Sequence, residues 1–145
     1  MFISGSVQKD QAANKSRSPR AAKPLIYIVD DEPMVLELAA TLLEPLNCRI
    51  ETFLDAETAL AAFVEARPRP DLIITDFAMH RMNGVEFMQE CRRLQPRQKI
   101  ILTSGTVDES VYRNSPVRPD QFLAKPYQAR QFIQLVESVL DAARG

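Results

Sequence analysis

The sequence predicts an α/β protein, a parallel sheet with helices on both faces. Three observations predict it. From residue 25 onward, short apolar runs alternate with segments of helical period, the connections are short, and most of the apolar runs are continuous. Parallel neighbours need crossovers, crossovers within one sheet are right-handed, and helices on both faces bury the strands on both sides.

Each element has its own signal. "LIYIV" (25–29) is an apolar run of strand length, and Pro33, suited to a first helical turn, opens "MVLELAATLLEPL" (34–46). "CRIETFL" (48–54) alternates like a more exposed strand, and "DAETALAAFVEA" (55–66) follows with Asp55 placed to cap a helix. "RPRP" (67–70) breaks the chain before a third strand, "DLIIT" (71–75). In "GVEFMQECRRL" (84–94) the apolar positions Val85, Met88 and Cys91 recur as in a helix. "KIILTS" (99–104) is a fourth strand and "QFLAK" (121–125) a short fifth. Between them Pro116 and Pro119 allow at most a short helix. "ARQFIQLVESVLDAA" (129–143) closes the alternation with Phe132, Ile133, Val136, Val139 and Leu140 on one side.

A chain of 145 residues, 46% hydrophobic and 26% charged, suits one globular domain with a packed core. Residues 1–24 carry Lys9, Lys15, Arg17, Arg20 and Lys23 against Asp10 alone, so this segment holds +4 and the rest of the chain −5. Polar, aperiodic and broken by Pro19 and Pro24, it reads as a flexible basic tail ahead of a domain over 25–145. Its cations lack interleaved aromatics, so a solvated leader is the simpler reading and no direct nucleic-acid binding is expected. No apolar run nears the roughly 20 residues of a membrane helix and no secretory signal opens the chain, which points to a cytoplasmic protein off the membrane. Cys48 and Cys91 are isolated and His80 is the single imidazole, so a zinc site is not expected and the thiols read as small buried hydrophobes.

The chemistry gathers beyond the carboxyl ends of the strands, where open parallel sheets bind ligands. Asp30 and Asp31 follow the first strand, Asp76 the third, Thr103 and Ser104 end the fourth, and Lys125 ends the fifth. Clustered carboxylates suit Mg2+, which takes one or two carboxylates and phosphate oxygens, and a cation would relieve their mutual repulsion. Lys125 and a hydroxyl would then be free for the remaining oxygens of a phosphoryl group. Other uses of this edge fail: "DDEP" opposes a flavin phosphate, no G-x-x-x-x-G-K-[ST] is present, and Asp76 is followed by Phe77 and Ala78 rather than by a second acid two residues on. What remains is an aspartate able to accept a phosphoryl group without a neighbour that hydrolyses it quickly.

Taken together, "IVDDEP", "DLIITDFAMHRMNG", "IILTSG" and "FLAKPY" resemble the receiver domain of two-component response regulators over about residues 25–143. The resemblance implies a flavodoxin-like doubly wound (βα)5 fold with a five-stranded parallel sheet in the order 2-1-3-4-5. It implies that Asp76 is the phosphoacceptor, that Asp30 and Asp31, with Asp76 and the Ala78 backbone carbonyl, bind Mg2+, and that Lys125 binds the phosphoryl group. By the same resemblance Ser104 is the hydroxyl that closes on the phosphoryl group, chosen over Thr103 because Gly105 matches the small residue that follows it. Phe122 is the aromatic switch position, and Lys125-Pro126 matches a cis-proline step. The implied partners are a histidine kinase or histidine phosphotransfer protein and a downstream protein target, with a homodimer left open.

Three departures from the family's pattern stand out. His80 replaces the usual proline, Ala78 offers no polar group to position water, and "SPVRPD" replaces the usual Ala-Gly turn before the fifth strand. Plainer roles exist for single residues: Asp30 or Asp31 as a helix-capping acid, Lys125 as a surface lysine, Phe122 as core, His80 as a solvated loop residue, and Met79, Met82 and Met88 as packing. Two competing functions remain. A receiver-like module that binds partners without phosphorylation is opposed by the intact Asp30, Asp31, Asp76, Ser104 and Lys125, and a Mg2+-dependent phosphatase by the missing second acid. No output module is expected within these 145 residues, so a stand-alone receiver and a part of a longer regulator or hybrid kinase both stay open.

Overall fold

A computed structural model describes residues 23–105 and 109–144, so the basic segment, apart from Lys23 and Pro24, lies outside the described residues. Strands β1 (Leu25–Val29), β2 (Arg49–Phe53), β3 (Leu72–Asp76), β4 (Ile100–Ser104) and β5 (Gln121–Ala124) form one parallel sheet in the order 2-1-3-4-5. The sheet is crossed by α1 (Pro33–Leu42), α2 (Ala56–Glu65) and α3 (Gly84–Leu94), and α4 (Ala129–Arg144) packs back after β5. This is the predicted doubly wound fold.

Where the described elements differ from the expected spans, local chemistry accounts for it. The first helical segment stops at Leu42 and continues as a 3-10 turn, Glu44–Leu46, ending at Asn47 with a left-handed φ of 55°. Pro45 has no N–H to extend the α-helix. Between β4 and β5 the described residues hold a four-residue 3-10 turn, Glu109–Tyr112, in place of an α-helix. Pro116 and Pro119 leave room for little more.

The helix starts are built as their sequences imply. The Asp55 side chain accepts from the Thr58 N–H at 2.7 Å. Asn83 accepts from the Val85 and Glu86 N–H groups, both at 2.9 Å, while the Glu86 side chain accepts from the Asn83 N–H.

Strand alternation sorts the core into two layers. Ile26, Ile28, Leu72, Ile74, Ile101 and Leu123 pack with Leu36, Ala39 and Leu43 and with Phe132, Val136 and Leu140 of α4. Tyr27, Val29, Ile73, Ile100 and Leu102 pack on the other face with Phe63, Phe87, Met88, Cys91 and Tyr112. All residues of β1, β3 and β4 are buried, as continuous apolar strands require, whereas the edge strand β2 is largely exposed. Fully burying one such aliphatic or aromatic side chain contributes about 1.5–3 kcal/mol.

The same two-residue period positions the polar residues. Running on from Ile28, Ile74, Ile101 and Leu123, it puts Asp30, Asp76, Thr103 and Lys125 over the α1/α4 layer. From Leu102 it puts Ser104 over the α2/α3 layer, on the side of Phe122. Register agrees, with Asp76 opposite Thr103 and Ser104 opposite Ala124.

Candidate phosphoryl-transfer site

Three strand ends deliver one cluster. Oxygen atoms of Asp30, Asp31 and Asp76 lie within 4.8 Å of one another, and Lys125 Nζ sits 2.9 Å from Asp30 Oδ2 and 3.2 Å from Asp76 Oδ1. Asp30 is 3% exposed and Asp76 7%, so both carboxylates have given up most of their hydration and need compensation from the protein. Asp30 Oδ1 accepts from the Glu32 N–H at 3.0 Å, and Asp31 is the solvent-facing member of the set. The sequence left Lys125 free for a phosphoryl group. In the structure it bridges two buried acids, because they draw the nearest cation.

These placements shift the titrations. Burial pushes the Asp76 carboxyl above its ordinary 3.8; the Lys125 ammonium opposes this and the Asp30 carboxylate adds to it. For Lys125, burial alone acts to lower the pKa, but the hydrogen bond to Asp30 and the charges of both acids outweigh it and hold the ammonium above its ordinary 10.5. Tyr127 is also raised above 10.0, chiefly by burial, and its ring stacks on Phe132 with centroids 5.0 Å apart.

Backbone contacts hold the loops that carry these groups. The Phe77 N–H donates to the Thr103 carbonyl at 2.8 Å, the Lys125 N–H to the Ser104 carbonyl at 2.8 Å, and the Lys125–Pro126 peptide is cis. The Gly84 N–H donates to the Phe77 carbonyl at 2.9 Å, which draws the start of α3 against the segment after Asp76. A Cβ at Gly84 would overlap the Asp76 carbonyl oxygen and lie 2.9 Å from Phe77 Cα. Gly84 is thus a close-approach glycine that sets the Asp76 backbone, a role sequence reasoning did not assign; its one trace there is a glycine directly after a capping Asn.

The remaining expected residues divide. Thr103 and Ser104 are both buried, and it is the Thr103 hydroxyl that reaches Asp76 Oδ1, at 3.5 Å, the long end of a hydrogen bond. This contact follows from the Asp76–Thr103 register, which single-sequence reading lacked. Ala78 and His80 are exposed in the loop beyond Asp76. Phe122 is half-buried, its ring 5.8 Å from that of Tyr112. Cys91 is fully buried, which pushes its thiol up to about 12 and makes it inert, and Met88 is core. Cys48 is partly buried, while Met79 and Met82 pack at the core's edge. Among the described residues no helix is long and apolar enough to cross a membrane.

With three carboxylates and one ammonium on the sheet's carboxyl edge, the arrangement can hold a divalent cation and a phosphoryl group side by side. A family model described as the response regulator receiver domain matches residues 26–137. The chain is 32% identical over 123 residues to the nitrogen assimilation regulatory protein NtrX of Azorhizobium caulinodans, covering 82% of this chain and 26% of that protein. It is 28% identical over 115 residues to a CpxR homologue, a transcriptional regulatory protein of Haemophilus influenzae, covering 79% of this chain and 49% of that one. The chain thus spans about half or less of these relatives. A CheY-like receiver domain protein from Methanospirillum hungatei superposes with a TM-score of 0.75 at 23% identity, over 84% of this chain and 97% of that one, a likeness of fold.

Proposed function

Since the chain belongs to the response regulator receiver family, we propose that Asp76 is its phosphoacceptor and that phosphorylation changes how the domain meets a protein partner. The observation that carries this reading is the buried Asp30–Lys125–Asp76 bridge, with Asp31 beside it, at the carboxyl edge of the sheet. An Asp76 carboxylate oxygen attacks the phosphorus of a phosphohistidine on a kinase or phosphotransfer protein. The new O–P bond forms as the P–N bond breaks, and the imidazole leaves with the electron pair and is reprotonated. Lys125, already 3.2 Å from Asp76 Oδ1, turns its N–H donors from carboxylate to the oxygens of the transferring group. Positioning and charge carry such a transfer, with little covalent help needed.

Three clustered oxygen donors fit Mg2+, which Asp30, Asp31 and Asp76 and, by family resemblance, the Ala78 carbonyl would hold. When bound, Mg2+ supplies positive charge against the acids and the phosphoryl oxygens. The product acyl phosphate carries roughly −1.5 to −2 charge in place of the carboxylate's single negative charge, at the end of β3 beside β4. Ser104, on the Phe122 side of the sheet, then closes on it and draws the β4 loop inward, and Phe122 repacks toward Tyr112. That shift biases a two-state equilibrium at the β4–β5 surface. The chain acts as a signalling phosphoacceptor rather than a turnover enzyme.

The test is intact-protein mass after incubation with Mg2+ and acetyl phosphate, for wild type and Asp76→Asn. The expected result is a gain of one phosphoryl group in wild type alone. No gain in either protein, with Mg2+ binding also absent, would favour a phosphorylation-independent interaction module.

A further inference from the structure

At the opposite end of the sheet, the N-terminal edges of β3, β4 and β5 open onto a cleft of about 780 Å³. Its wall carries five cations, Arg69, Arg92, Arg97, Lys99 and Arg118, against two carboxylates, Asp71 and Asp120. It is a +3 patch on a domain whose residues 25–145 sum to −5. Both acids serve the fold. Asp71 accepts from the Leu25 N–H at 2.8 Å, and Asp120 accepts from the Ile100 N–H at 2.8 Å and pairs with Arg92 at 2.9 Å.

Lys99 is half-buried, its Nζ 3.6 Å from Asp120 Oδ1, and the four arginines are of two kinds. Arg92 and Arg69 are pinned, the first donating to the Gln98 and Arg118 carbonyls at 2.7 and 3.0 Å, the second to the Phe63 and Leu94 carbonyls at 3.2 and 3.3 Å. Arg97 and Arg118 are exposed, and among the described residues neither is paired with a carboxylate; the Arg118 guanidinium rests over the Tyr112 ring. Pinned guanidiniums lose little entropy when they bind, and unpaired ones lack a counter-charge. A concave wall holding both is organised for anionic groups.

We propose that this cleft binds an acidic polypeptide segment, rich in Asp and Glu, of a partner protein. The guanidinium fork matches a carboxylate with two parallel hydrogen bonds. Among the described residues the lining has no aromatic side chain on which a nucleobase could stack, which single-stranded nucleic acid requires, and a cleft does not follow a duplex backbone. Because the cleft and the acidic cluster lie at opposite ends of the strands, a partner held here leaves Asp76 open to its phosphodonor.

The experiment measures fluorescence anisotropy of a labelled oligoglutamate peptide, and of a labelled oligothymidylate of equal charge, titrated with the whole chain at low and physiological salt. The comparison variant is Arg97→Glu/Arg118→Glu. Both side chains are exposed, so the fold should persist, which its melting curve and unchanged phosphoryl uptake from acetyl phosphate would establish. The expected result is salt-sensitive peptide binding, weakened by about tenfold or more in the double variant and tighter than oligothymidylate binding. Absent peptide binding, binding that survives the charge reversal and so belongs to the basic tail, or tighter oligothymidylate binding would each overturn the proposal. Should the double variant melt early, Arg97→Glu alone provides the same comparison at an exposed position.

Discussion

Replacing Gly84 with alanine tests whether the start of α3 sets the position of Asp76. Gly84 does not adopt a positive φ, so the cost of a side chain there is steric, not conformational. The added methyl overlaps the Asp76 carbonyl oxygen and sits 2.9 Å from Phe77 Cα, both backbone atoms that cannot rotate aside. Overpacking of this kind costs about 1–3 kcal/mol. Against it, alanine is a better helix former by up to about 1 kcal/mol, and by less at a first helical position.

The steric effect wins by about 1–2 kcal/mol, a fall in melting temperature of roughly 4–8 °C for a domain of this size. Relief of the overlap must also move the Asp76 backbone. A displacement near 1 Å can slow a positioned reaction by up to ~100-fold, so phosphoryl uptake from acetyl phosphate should fall by about tenfold or more. Asn83→Ala is the control. It removes the cap over Val85 and Glu86 and costs about 1 kcal/mol, yet leaves the Asp76 contact in place and should keep uptake near wild type. A Gly84→Ala protein that melts and phosphorylates like wild type would refute the argument.

Removal of the bridge by Lys125→Met should destabilise the domain by about 3 kcal/mol in urea melts, because Asp30 and Asp76 are then buried without a cation. Asp30→Asn in the same background should recover part of that loss, and strictly additive effects would show the ion pairs to be uncoupled. The raised pKa of Asp76 means that the folded chain holds this proton more tightly than the unfolded one. Wild type should therefore lose stability relative to Asp76→Asn as pH rises from the ordinary value of 3.8 through the raised pKa, and a pH-independent difference in melting temperature would contradict this. Ala78 has no polar group to place a water against the acyl phosphate, so phosphate release should be slow; a phosphoryl lifetime of seconds would count against it.

Much of the fold was legible because its signals are local. Continuous apolar runs at 25–29, 71–75 and 99–104, the Asp55 cap and the stripe of α4 depend on neighbours within a few residues, and the structure keeps each nearly in place. The carboxyl-edge inventory was legible for the same reason, since acids directly after apolar strands must emerge at the strand ends. Three features of the site were not. Lys125 bridging Asp30 and Asp76, Thr103 facing Asp76 and Gly84 abutting the Asp76 carbonyl all join residues of different elements.

By itself the sequence determined the alternation, the five strands and the residue types gathered at one edge, because burial periodicity and capping act over single turns and strands. Only the tertiary structure decided which hydroxyl shares a face with Asp76, which carboxylates Lys125 neutralises, and that five cations from α3 and three connections line one cleft at the far edge. Those outcomes depend on strand register and on how closely crossovers approach the sheet, and both are set by packing between segments that a single sequence does not pair.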